Sequence, residues 1–178
     1  MIVPVPLLTR AGLRWIPRAV LALHWLFVGA ALRGGRVPAG VSGGASGPVG
    51  DAAWVLPVVS LGVLILLQGL GGILPRRPEL FNFPTRERFL RLPRKHQEPG
   101  IAIMRSTLDL VAVESSLMLF FAQVAEWRSA LGYEPIGEHL VLVFLATAIM
   151  PWVFVMLGRL ERAVQQAEAA WQREDSDA

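Results

Sequence analysis

Four apolar stretches in this 178-residue chain approach the length that a helix needs to cross a lipid bilayer. About 20 mainly apolar residues span a hydrocarbon layer of about 30 Å. The stretches are residues 15–32, 53–74, 107–125 and 139–157. Because few residues are left for a water-soluble domain, the sequence predicts an all-α, polytopic membrane protein with four transmembrane helices.

Composition supports this class and excludes others. Only 17% of the residues are charged, whereas soluble domains carry about 25%. The chain has no cysteine, which excludes disulfides and thiolate metal sites. No nucleophile–histidine–acid set, metal-ligand cluster or pair of acids in an evident cleft can be recognised. The sequence therefore predicts a protein that is not an enzyme, with no catalytic residues, no metal site and no cofactor.

The distribution of positive charge predicts the orientation of the chain. Residues 75–106, between the second and third apolar stretches, carry eight basic residues against three acids. Further basic residues flank the first and fourth stretches: Arg10, Arg14, Arg18, Arg159, Arg162 and Arg173. By the positive-inside rule, both termini and residues 75–106 are cytoplasmic. Arginine outnumbers lysine 16 to 1, as in GC-rich bacteria, so we expect a bacterial inner (cytoplasmic) membrane.

The chain divides into a transmembrane domain, residues 1–158, and a cytoplasmic extension, residues 159–178. In the extension, Leu160, Val164, Ala167 and Trp171 recur at helical spacing. This pattern predicts an amphipathic helix that packs against the protein's own loop or a partner, followed by an acidic tail. The first apolar stretch also resembles a signal peptide, but we interpret it as a retained anchor.

Within residues 75–106, the Pro84-Thr85 pair is equally compatible with the start of a short helix that runs through Leu92 and with a plain solvated loop. Phe89, Leu90 and Leu92 would then face lipid or protein, while the basic side chains meet lipid phosphates. The same basic loop is a candidate contact for a cytoplasmic regulator. Its residues are Arg86, Arg88, Arg91, Arg94 and Lys95.

Three polar residues fall inside the predicted membrane segments at one depth. Counted at about 1.5 Å per residue, His24, Gln68 and Glu114 lie on the order of 10 Å from the cytoplasmic boundary. We expect an intramembrane polar cluster that holds the helices together, with a proton- or ion-handling site as the alternative. A tetrapyrrole ligated by His24 is a further alternative.

The third apolar stretch carries polar residues with a seven-residue spacing. Asp109, Ser116 and Gln123 therefore lie on nearly one face of a helix, and this face should point to other helices. Near the cytoplasmic end of this stretch, the i, i+4 spacing of Arg105 and Asp109 predicts an interfacial ion pair.

Residues from the second apolar stretch through the third resemble a bacterial membrane-protein family of unknown function that is related to the amino-terminal region of Sdp-type immunity proteins. The resemblance rests on residues 75–84, where Asn82-Phe83-Pro84 is similar to the family's Asn-Tyr-Pro. The Arg36-Val37-Pro38 run also resembles the family's short start of the external loop. The chain departs from the family at Ala39 and Gly40, where a His-Phe pair is usual. The resemblance implies four helices and an immunity or signalling role.

These observations favour an accessory or scaffolding subunit of a larger inner-membrane assembly, with photosynthetic and respiratory complexes among the candidates. The expected partners are membrane lipids and other integral-membrane subunits. Nucleic acid is not expected, because the sequence shows no basic recognition helix and no aromatic-lined sheet. The alternatives are an Sdp-related immunity or signalling protein that binds a cytoplasmic regulator, and a small proton-coupled transporter.

Overall fold

The computed structural model of the chain describes residues 10–33, 50–130 and 136–176. Within these ranges every regular element is helical, which confirms the all-α prediction there. A 3-10 turn, Pro78–Leu80, joins the second and third helices. The α-helices are α1 Arg10–Arg33, α2 Gly50–Ile73, α3 Arg86–Arg91, α4 Arg94–Ala130 and α5 Ile136–Ser176. The Arg36-Val37-Pro38 run lies outside the described residues.

Three of these helices contain a stretch long and apolar enough to cross a membrane: Val55–Ile73 in α2, Arg94–Glu126 in α4 and His139–Ser176 in α5. This finding supports the prediction of a membrane protein. A membrane crossing by α1 and the orientation of the chain stay predictions.

Helix α4 lies at the centre of the fold and packs against α1, α2 and α5. One face of α2, with Pro57, Ser60 and Leu64, is turned inward and buried. Farther along α2, Gly71 approaches the side chain of Leu108 on α4. The remaining surface of α2 is largely apolar and exposed, as expected of a helix that meets lipid.

The prediction of a loop over the whole of residues 75–106 is wrong in its second half, because α4 begins at Arg94. Gln97 and Gly100 are buried, and Ile101 and Met104 are partly buried, so one face of these first turns points into the protein. Packing of that face stabilises helix in a segment whose many charges suggest a loop.

Helix α5 continues without a break through Pro151 and through residue 158, where the sequence predicts a domain boundary. Its 41 residues extend about 60 Å, roughly twice the thickness of a hydrocarbon layer. The predicted apolar face of its last turns is confirmed, since Leu160, Val164 and Ala167 are buried. Trp171 is 37% exposed and marks the end of this face.

The last turns of α5, residues 158–176, pack with α3 and the first turns of α4, residues 94–104, into a unit that we call the platform. Phe89 of α3 is fully buried in it and belongs to one apolar cluster with Leu92, Leu160, Val164 and Ala167. The short helix predicted after Pro84 is therefore confirmed, and its apolar residues face protein.

Two buried residues at the start of α4 hold α3 in place. The Gln97 side-chain amide donates hydrogen bonds to the backbone oxygens of Leu92, at 2.8 Å, and Phe89, at 3.3 Å. The Leu92 carbonyl, just beyond the end of α3, is thereby paired, and the Phe89 carbonyl, which already accepts from the Leu92 N–H at 3.2 Å, gains a second donor. Gly100 lies against the Phe89 ring, and a Cβ atom at position 100 would come within 2.6 Å of the ring carbon Cε2.

Candidate functional site

A line of polar contacts runs along α1 and joins it to α2 and α4. We call this line the polar seam; its contacts are Arg14 with Asp109, Arg18 with Gln68, and His24 with Gln123. The two contacts between α1 and α4 join residues separated by 95 and 99 positions, so the two helices run in the same direction.

The first contact replaces the ion pair predicted between Arg105 and Asp109. Nε of Arg14 lies 3.4 Å from a carboxylate oxygen of Asp109. Asp109 therefore links two helices instead of pairing along its own helix. The sequence alone favours Arg105 because i, i+4 pairs are local, whereas a partner on α1 depends on how the helices pack.

The second contact gives Gln68 a partner that the sequence did not suggest. Nη2 of Arg18 donates to the side-chain oxygen of Gln68 at 3.4 Å. The guanidinium group of Arg18 also lies 5.3 Å from the centre of the Trp15 ring, a distance suited to a cation–π contact. Gln68 is exposed and does not reach the interior of the helix bundle.

The third contact is the most deeply buried one in the seam. His24 has no exposed surface, and Gln123 is 2% exposed. Nδ1 of His24 donates a hydrogen bond to Oε1 of Gln123. The imidazole also meets the ring of Phe120 edge to face, with 5.3 Å between ring centres.

Glu114 lies apart from His24 and Gln68. It is nine residues before Gln123, which places it about 13 Å lower along α4 and on the opposite side of that helix. Its carboxyl group is within hydrogen-bonding reach of the Ile149 backbone on α5, while its Oε1 atom has no partner. Among the described residues, no hydrogen bond joins His24, Gln68 and Glu114. The predicted common depth does not hold for His24, which lies level with Gln123 and therefore about 13 Å from Glu114 along α4.

The prediction that Asp109, Ser116 and Gln123 share a face turned toward other helices is confirmed. Asp109 and Gln123 both contact α1, and Ser116 is 3% exposed. The seven-residue spacing succeeded because it specifies direction as well as depth.

Near the His24–Gln123 contact, three buried polar atoms have no hydrogen-bond partner among the described residues: Nε2 of His24, Nε2 of Gln123 and Oγ of Ser60 on α2. A tetrapyrrole would be ligated through Nε2 of His24. That atom is buried in the helix packing, so a ring would reach it only if the helices moved apart, and ligation by His24 stays a prediction. Among the described residues, no group of three histidine or acidic side chains could hold a metal ion.

The predicted basic loop is tied to the end of α5 by ion pairs. Nε of Arg88 donates to Glu168 at 3.0 Å, and Nη2 makes a second contact with the same carboxylate. This paired hydrogen bonding lowers the pKa of Glu168 and raises the pKa of Arg88 from its ordinary value. Both groups therefore keep their charges at neutral pH.

The other basic residues of the loop have varied surroundings. Lys95 forms an ion pair with Glu174, which lowers the pKa of that carboxyl group. Arg86 donates to the backbone oxygen of Glu79 at 2.9 Å, and Arg94 donates to that of Pro75. Arg91 is exposed and makes no hydrogen bond or ion pair with the described residues. The loop thus binds its own chain through Arg88 and Lys95.

The Asn82-Phe83 pair, which carries the family resemblance, lines a mainly apolar pocket of about 160 Å³. Thr107 and Leu108 of α4 and Met156 of α5 form other parts of its wall. The motif thus lies where α4 and α5 leave the platform.

Comparisons of this chain with protein-family models, with curated proteins and with solved structures gave no match. The resemblance to the Sdp-related family therefore stays a prediction.

Proposed function

We propose that this chain is a non-enzymatic accessory or scaffolding subunit of a larger bacterial inner-membrane assembly. In this proposal α1, α2, α4 and α5 all cross the membrane, and the platform lies in the cytoplasm with both termini. A scaffold needs a fixed shape and a surface for its partners, and it needs no reactive centre.

The membrane part of α5 carries the proposal. Only 6% of its most apolar 18-residue window is buried, against 17% for α2 and 22% for α4. Large apolar side chains on this part of α5 are more than 60% exposed: Leu140, Val143, Phe144, Met150 and Phe154. Of the three candidate spans, α5 therefore has the smallest buried fraction, and its other end is anchored in the platform.

Polar contacts of the seam support the crossing by α1. Arg14 and His24, ten residues apart, both meet α4. Helix α1 therefore follows α4, a candidate membrane span, over about 15 Å. Arginine at the start of α1 lies beside the arginine-rich start of α4, in agreement with one cytoplasmic side for both.

A site-specific crosslinking experiment tests the subunit role. A photoreactive amino acid replaces Phe144 or Phe154 on α5 in the host membrane, and Leu26 on α1 serves as the control because it is equally exposed. We expect the α5 positions to give an adduct with one integral-membrane protein that also co-purifies at fixed stoichiometry. Adducts with lipid alone at all three positions would contradict the proposal.

The two alternative functions, signalling and proton-coupled transport, predict results that differ from those of a scaffold. A signalling protein should bind a soluble regulator through the basic loop, and Arg86→Ala with Arg91→Ala should weaken that binding. Arg88 is left unchanged in this test because it pairs with Glu168. A proton-coupled transporter should lose pH-dependent flux on Glu114→Gln. A scaffold should show neither effect.

A further inference from the structure

A charged pocket of about 460 Å³ lies between the start of α1, the first turns of α4 and Pro75. Its wall contains three arginines and two acids: Arg14, Arg94, Arg105, Glu98 and Asp109. Ile101 and Ala102 contribute an apolar part of the wall. The pocket is therefore large enough for a small anionic group, and it is lined by more positive than negative charges.

The pocket lies where three apolar stretches end. Arg14 directly precedes stretch 15–32, Pro75 directly follows stretch 53–74, and Arg105 comes two residues before stretch 107–125. In a bilayer, these ends fall at the boundary between the hydrocarbon layer and the headgroups. The packing of α1, α2 and α4 thus places the pocket at the depth of the phospholipid phosphates.

Charges in the pocket are not all compensated. Asp109 is paired with Arg14. Arg94 donates to the neutral carbonyl of Pro75, and Arg105 makes no hydrogen bond or ion pair with the described residues. Two guanidinium groups therefore face this pocket without a paired carboxylate from the described part of the chain. Such groups near a membrane boundary favour an anionic partner.

We propose that this pocket binds a phosphate group through Arg94 and Arg105. Guanidinium groups match the tetrahedral oxygens of phosphate with paired hydrogen bonds. Arg105 uses none of its donors within the described residues, and Arg94 keeps the donors that it does not direct to Pro75. A phospholipid headgroup and free inorganic phosphate are the two sources of this chemistry. The proposal rests on the membrane placement described above, and it is independent of the scaffolding role.

Arg105→Gln tests the site with little risk to the fold, since Arg105 has no partner within the described residues. The full chain is purified in mild detergent and titrated with phosphatidylglycerol, and bound lipid is measured by native mass spectrometry. We expect Arg105→Gln to weaken binding about fivefold, and Arg94→Gln to act in the same direction. Arg91→Gln is the matched control, because Arg91 is exposed, lacks a partner and lies outside the pocket.

Inorganic phosphate, titrated separately and as a competitor, identifies the source. If bound phosphatidylglycerol is displaced only when inorganic phosphate reaches millimolar concentrations, the site prefers a lipid headgroup. Tight binding of inorganic phosphate alone, again weakened by Arg105→Gln, indicates a free phosphate site and still supports the proposed chemistry. Equal losses for Arg105→Gln and Arg91→Gln, or no loss for either, would overturn the proposal. These results need no partner protein, so they are separate from the crosslinking test of the scaffold.

Discussion

The platform and the membrane part of this protein are stabilised in different ways. The platform encloses a fully buried phenylalanine among aliphatic side chains and adds ion pairs at its surface. The membrane part leaves most of its apolar residues exposed and buries polar ones, including His24 and Gln123. In water the hydrophobic effect drives burial of apolar groups. In lipid it does not, so packing and polar contacts must hold the helices together.

The largest expected effect is on the platform core. Phe89→Ala removes a side chain with no exposed surface and should lower the free energy of unfolding by about 3–5 kcal/mol. Thermal unfolding of the full chain in detergent measures this loss. Leu80→Ala, at a position 68% exposed, is the control and should be nearly neutral. Equal effects of the two substitutions would show that the platform has no packed core.

Adding one methyl group, by a glycine-to-alanine substitution, should change the stability of the platform but not that of the membrane part. Gly100→Ala places Cβ against the buried Phe89 ring and should cost about 1–3 kcal/mol of stability. Gly69→Ala on α2 meets no atom within 4 Å and should be neutral or slightly stabilising, because alanine favours helix. The unfolding midpoints of the two variants can be compared in one detergent. A larger loss of stability for Gly69→Ala than for Gly100→Ala would contradict the tighter packing of the platform.

Within the membrane part, a double-mutant cycle should reveal the His24–Gln123 contact. His24→Leu or Gln123→Leu alone leaves a buried polar partner unpaired and should cost about 1 kcal/mol. The double variant should recover part of this loss, because both polar groups are gone. Unfolding measurements on the four proteins give the coupling. Strictly additive losses would show that the contact contributes nothing to stability.

The smallest effect is expected from the Arg88–Glu168 ion pair at the platform surface. The pKa of Glu168 is lowered from 4.5, so the pair contributes fully above that pH and is lost as the pH falls through the lowered value. The unfolding temperature should therefore decrease as the pH is lowered from neutrality to below 4.5. Glu168→Gln should show less of this fall. An identical pH dependence in the variant would assign the fall to other groups.

Much of the fold could be predicted because bilayer thickness and helical periodicity act locally. Apolar stretches located the long helices, and the spacing of Leu160, Val164 and Ala167 located the face that the platform buries. The sequence did not predict the start of α4, because the many charged residues of this segment are typical of a loop. Its helical state depends on contacts of Gly100 with Phe89, on a separate short helix, and with Leu160, which lies 60 residues farther along the chain.

The partners of the polar residues also could not be predicted from the sequence, because they depend on how the helices pack. A count along each helix from an assumed boundary placed His24 level with Glu114, whereas in the structure His24 lies level with Gln123, about 13 Å away. The direction in which a side chain points depends on the rotation of each helix, and packing turns His24 toward Gln123 instead. The partners Arg14 and Asp109 were similarly hidden, because 95 residues separate them.

The unbroken course of α5 has a mechanical consequence. Helix α5 is continuous from Ile136 to Ser176, although Pro151 lacks a backbone N–H to donate, and Glu168 and Glu174 fasten its far end to α3 and α4. Over about 30 Å of such a helix, a change in tilt of about ten degrees moves the far end by about 5 Å. A neighbour that tilts α5 through Phe144 would therefore displace the Glu168 carboxylate that pairs with Arg88.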